Sequence, residues 1–167
     1  METQTTTEEV PNIITSAQSE YEDPPKGESL FGLIGIKVRD AKVFKDGVDT
    51  GTTEPKYMLT FRCVENAKAF FNVSFRPKWN EKATMYQILR AATNKKLKPN
   101  SSSEEAYKAM MGLKGRWFML DLAVNKYGKI ALVTTDAITP HEGPRGYPDA
   151  IKYFTEIDTA IALKKTH

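Results

Sequence analysis

The chain has 167 residues, of which 27% are charged and 40% hydrophobic, with a net charge of +3 and one cysteine. That length suits one core of ordinary size, and no apolar run approaches the roughly 18 residues of a membrane span. Cys63 stands alone, which excludes an internal disulfide or a multi-cysteine zinc site and leaves a buried structural thiol as the expectation. The opening METQTTTEEV is polar and acidic, unlike a secretory signal, so cytoplasmic residence is expected.

Charge is divided along the chain. Residues 1–32 hold one Lys and seven acids, residues 141–167 hold four of each, and residues 33–140 hold 19 Lys or Arg against 10 Asp or Glu. A middle carrying +9 suits a polyanion, and the acidic head could lie across it.

Residues 1–28, rich in Thr, Ser and Glu and including Pro24-Pro25, read as a disordered acidic lead-in. A domain is expected over 29–140. In GLIGIKVRDAKVFK (32–45), Ile34, Ile36 and Val38 alternate with Gly35, Lys37 and Arg39 before the apolar parity moves to Ala41 and Val43. That shift implies a bulge or bend in a first strand. DGVDTGTTEP (46–55) reads as a long turn that ends it.

KYMLTFRCVE (56–65) sets Tyr57, Leu59, Phe61 and Cys63 on one face and Lys56, Met58, Thr60 and Arg62 on the other. KAFFNVSFR (68–76) repeats the pattern, with Lys68, Phe70, Asn72 and Ser74 on the polar side. After Pro77 the period lengthens to about 3.6, and residues 80–96 are expected to form an amphipathic helix capped by Asn80 and buried along Met85, Ile88, Leu89 and Ala92. A loop and a short helix capped near Ser102 and ended by Gly112 follow. GRWFMLDLAVNKYGKIALVTTDAI (115–138) reads as a strand, a turn at NKYG and a returning strand. Residues 141–167 form a Gly/Pro linker and an amphipathic helix over 149–163, whose apolar positions are Ile151, Phe154, Ile157 and Ile161. Two roles stay open for that helix: docking on its own domain, or binding a second copy or a replication or recombination protein.

Three strands, a helical insertion and two strands, with a bend in the first, match the mainly-β, five-stranded OB-fold barrel. A small α+β sheet or half-sandwich uses the same elements. No catalytic set emerges, because His141 and His167 lack spaced companions and no phosphate loop or dinucleotide fingerprint occurs. No enzyme activity, cofactor or metal is expected.

OB barrels take single strands across their second and third strands, between the loops joining strands one to two and four to five. On that plan the sequence collects Lys37, Arg39, Lys56, Met58, Arg62, Lys68 and Phe70, then Lys126, Tyr127 and Lys129. Phe70 and Tyr127 would stack on bases, and the cations would follow phosphates. Against this stands a plain solvated face on which Phe70 is one ordinary exposed aromatic or packs against the tail helix.

The DPPKG lead-in, the strand ending LTFRC, the helix EKATMYQILRAA and the segment GLKGRWFMLDLAVNKYGK, spanning about residues 24–140, resemble the OB-fold single-stranded-DNA-binding-like proteins of phages and prophages. The resemblance implies coating of single-stranded DNA, with little sequence preference, during phage DNA replication or recombination in the bacterial cytoplasm. RNA offers the same stacked bases and phosphates. The competing expectation is a non-enzymatic protein-interaction or assembly module that uses the barrel and the C-terminal helix.

Overall fold

A computed structural model describes residues 21–80, 82–98 and 101–165. Most of the expected acidic lead-in, residues 1–20, lies outside the described residues. Its last part has a defined path: Tyr21 packs edge-on against Phe70 at 5.1 Å, and the Glu22 amide donates to the Lys68 carbonyl.

Strands β1 (Gly27–Lys45), β2 (Val48–Cys63) and β3 (Phe70–Phe75) are followed by helices α1 (Thr84–Ala92) and α2 (Ser103–Met111). Strands β4 (Trp117–Val124), β5 (Ile130–Leu132) and β6 (Ile138–His141) come next, and helix α3 (Ala150–Lys165) ends the order. All six strands join one antiparallel sheet ordered β3-β2-β1-β4-β5, with β6 also on β4. The fold is mainly β. Among the described residues β3 pairs with neither β5 nor β6, so the sheet is open between them.

Period-two alternation explains the core. Phe31, Leu33, Leu59, Phe61, Phe71 and Phe118 come from one face of the sheet, and Ile88, Leu89, Ala106 and Met110 from the two helices that cover it. Cys63 is fully buried among them, and burial pushes its thiol pKa up, as a structural cysteine requires.

Four expectations change in detail. The register slips twice, between Leu33 and Gly35 and between Lys42 and Phe44; at the first, Leu33 enters the main core while Ile34 joins a second cluster on the opposite face. Residues 46–55 are not a long turn. Asp46 and Gly47, with φ of 52° and 80°, close a two-residue turn, and β1 and β2 continue as a ribbon to it. Both residues must take positive φ, which Asp-Gly does at low cost and which matches the twist of the strands.

The first helix is shorter than its pattern. Asn80 accepts a hydrogen bond from the Lys82 amide in a local turn, and α1 starts after Ala83 without a side-chain cap. Its expected inner face, Met85, Ile88, Leu89 and Ala92, is buried. The returning strand after NKYG is split. Leu132 pairs with Leu122 and Ile138 with Leu120, so residues 133–137 bulge out opposite Asp121 alone. Asp121 still bonds both ends of the bulge, Val133 N at 3.0 Å and Ala137 O at 3.2 Å. The short polar side chains of Thr134, Thr135 and Asp136 suit such a turn.

Helix α2 follows its sequence signals. Ser102 and Glu105 form a reciprocal capping box, and Gly112 ends the helix.

Helix α3 docks on its own domain. It lies on the outer face of β1, away from α1 and α2, where Trp117, Ala150 and Phe154 form the buried second cluster. The Ala150 amide donates to Gly115 O at 2.7 Å, and the Trp117 indole donates to Tyr147 O at 2.7 Å. Gly32 makes the approach possible: a Cβ there would meet the Ala150 Cβ at 2.5 Å. Trp117 is therefore buried under the tail.

Candidate nucleic-acid interface

The outer face of β1, β2 and β3 carries six of the expected contacts, Lys37, Arg39, Lys56, Met58, Arg62 and Phe70, and the register sets them in rows. Lys37, Met58 and Ser74 lie side by side, as do Gly35, Thr60 and Asn72, while Arg39 is opposite Lys56. Lys37, Arg39 and Lys56 have no acidic partner among the described residues. Arg76, at the end of β3, bonds Glu54 at 2.6 Å, and Thr60 donates to Asn72 at 2.7 Å. This upper part of the face is a small positive surface with a half-buried methionine and hydrogen-bonding groups between the cations.

The lower part is closed. Arg62 and Phe70, expected on the polar side of their strands, pair across β2 and β3, and Arg62 faces α3 rather than solvent. Arg62 grips Asp158 with two hydrogen bonds, of 2.9 and 2.7 Å, donates a third to Ala67 O at 2.7 Å, and is 11% exposed. Its guanidinium lies 4.8 Å from the Phe154 ring centre and 5.0 Å from that of Phe70. Hydrogen bonds from Arg62 hold the Asp158 carboxyl below its usual pKa.

Arg62 is thus a structural group in this fold, and the expected stacking platform on β3, Phe70, is in contact with both Tyr21 and Arg62. Alternation along a strand places a residue on a face. It does not say which later segment returns to cover that face.

Lys68 is exposed in the turn between β2 and β3, where its amide is held by Asn66 Oδ1. Lys126, Tyr127 and Lys129 sit in the β4–β5 turn. Asn125 fixes that turn by accepting from the Tyr127 and Lys129 amides at 2.9 and 3.0 Å. Tyr127 is 74% exposed, with the Lys126 ammonium 5.2 Å from its ring centre. Leu122 pairs with Gly27, so this turn lies beyond the N-terminal end of β1. Lys37 is about 33 Å further along that strand at about 3.3 Å per residue. The two groups of expected contacts are therefore separated along β1, one beyond its N-terminal end and the other near its middle, rather than forming one patch.

Two features escaped the sequence reading. The ribbon tip exposes Phe44 and Val48, at 59% and 66%, and the Asp-Gly dipeptide was the signal for it. Cations at and after the end of α1, Arg90, Lys95, Lys96 and Lys98, line an open groove, and their spacing in sequence was the signal there.

Among the described residues, no group of three or more His, Cys, Asp or Glu side chains could hold a metal ion, and no helix is long and apolar enough to cross a membrane. Comparison of the chain with protein-family models and with curated proteins finds no match.

Proposed function

We propose that this chain is a single-stranded-DNA-binding module of OB type, with little sequence preference and no catalysis, serving phage-type replication or recombination in a bacterial cytoplasm. The observation that carries the reading is the row formed by Lys37, Arg39 and Lys56 around Met58 on one sheet face, without an acidic partner among the described residues. The strand order supports the OB assignment, since β3-β2-β1-β4-β5 is that barrel's order opened at one seam. The phage setting rests on the sequence resemblance.

The contact set differs from the one expected from sequence. Lys37, Arg39 and Lys56 follow phosphates, and Tyr127 supplies stacking at the far end of β1. Arg62 holds α3 in place, and Phe70 packs against Arg62 and Tyr21.

Fluorescence anisotropy tests this with labelled oligo-dT of about 30 nucleotides, longer than the roughly 4–16 that one such fold covers. Binding is expected to weaken with salt and to resist an equal length of duplex. Tyr127→Ala should lose about 1–3 kcal/mol of affinity with no change in stability. Phe70→Ala should instead lower stability by about 1–2 kcal/mol, as expected for a partly buried aromatic. Absence of strand binding at low salt refutes the proposal.

One observation favours a protein partner instead. Phe44 and Val48 project from the ribbon tip into solvent, whereas α3 already spends Phe154 on its own domain. Indifference to nucleic acid, together with loss of partner binding in Phe44→Ser, would select that reading.

A further inference from the structure

A trough runs along the C-terminal half of α1, on the other side of the sheet from α3. It comprises a groove of about 960 Å³ between α1 and the β5–β6 bulge and a second of about 540 Å³ toward α2, which share Asn94, Leu97 and Pro140. Arg90, Lys95 and Lys98 line the first and Lys96 and Arg116 the second, against a single acid, Asp136. All five cations are exposed, and none has an ion-pair partner among the described residues.

The backbone is shaped to present them. Asn94 and Lys95 leave α1 with φ of 59° and 64°, left-handed values that cost non-glycine residues free energy and that concentrate at functional positions. After this turn Lys95, Lys96, Leu97 and Lys98 line the trough.

The groove wall also holds an unmet donor. Tyr86 is 2% exposed and lines the larger groove, and its hydroxyl has no hydrogen-bond partner among the described residues. Trp79, stacked edge-on against it at 4.9 Å, has an unpartnered indole NH as well.

We infer that the trough is a second contact for the nucleic-acid strand, in which Arg90, Lys95 and Lys98 hold consecutive backbone phosphates; this rests on the single-strand reading above. The apolar floor of Ala91, Leu97 and Ile138 accommodates sugar and base, and Gln87 and Thr139 supply hydrogen bonds without sequence preference. A strand held on both the β1–β2 face and the trough wraps the domain.

The test is a salt titration of oligo-dT binding for the wild type, the variant Arg90→Gln/Lys95→Gln/Lys98→Gln, and the face variant Lys37→Gln/Arg39→Gln/Lys56→Gln, with unfolding midpoints as controls. Each triple variant should reduce the slope of log K against log salt by about 2, from three contacts at about 0.7 each, and weaken binding at least about tenfold at low salt. If the face variant loses affinity while the trough variant keeps wild-type affinity and slope, the inference falls and the single-strand reading stands. If the wild type binds no strand, the reading itself fails and the trough contact with it.

Discussion

Replacing Gly32 by alanine tests whether α3 belongs to the folded domain in the way its contacts imply. Gly32 is not in the left-handed region, so the effect of Gly32→Ala is steric. The new Cβ would stand 2.5 Å from the Ala150 Cβ, 3.0 Å from Phe154 and 3.1 Å from Trp117. Carbon atoms prefer about 3.5–4.0 Å, so the start of α3 would have to retreat by about 1 Å or more. Overpacking of this kind costs about 1–3 kcal/mol, partly offset by about 0.4–1 kcal/mol from the stiffer unfolded chain. A net loss of about 0.5–2.5 kcal/mol is expected in urea unfolding followed by tryptophan fluorescence, which Trp117 reports from inside the contact. Ala150→Gly removes the closest opposing atom. The double variant should therefore be more stable than the sum of the single changes allows, by about 0.5–2 kcal/mol. A Gly32→Ala protein as stable as the wild type, or strict additivity in the cycle, would refute the close approach of helix and strand.

Two further predictions follow the same packing. Asp158 has a folded-state pKa below its unfolded value because Arg62 bonds its charged form, so its contribution is present at neutral pH and is lost as the pH falls below about 4. Asp158 is 55% exposed, so Asp158→Asn should cost at most about 1 kcal/mol at pH 7, and the difference from wild type should shrink in acid, measured by urea midpoints across pH. Ser102→Ala removes the capping box of α2 and should cost about 1 kcal/mol, with faster amide exchange confined to that helix's first turn.

The local signals in the chain were sufficient for most elements. Alternation in 56–65 and 68–76 identifies β2, β3 and their buried faces, because side chains of successive strand residues must point to opposite sides of the sheet. Ser102, Glu105 and Gly112 bound α2 because capping and termination are satisfied within a few residues. The amphipathic pattern of 149–163 likewise marks α3, which spans Ala150–Lys165. The Asp46-Gly47 turn was legible too, since its dipeptide is a strong hairpin signal, but the polar residues around it read as loop because a solvated ribbon carries no apolar alternation.

What the tertiary structure alone decided is which polar face remains open. Lys37, Arg39, Lys56, Arg62 and Phe70 share one side of the sheet by strand parity, and sequence spacing treats them alike. Only the return of α3, almost a hundred positions later in the chain, separates them: it finds Gly32 small enough to admit Ala150 and brings Asp158 onto Arg62. The trough at the end of α1 arises in the same way, from a left-handed turn at Asn94 and Lys95 that meets the bulge opposite Asp121. Strand parity and helix caps are short-range constraints written into neighbouring residues. A binding surface depends on where distant segments come to rest, and that is settled by packing.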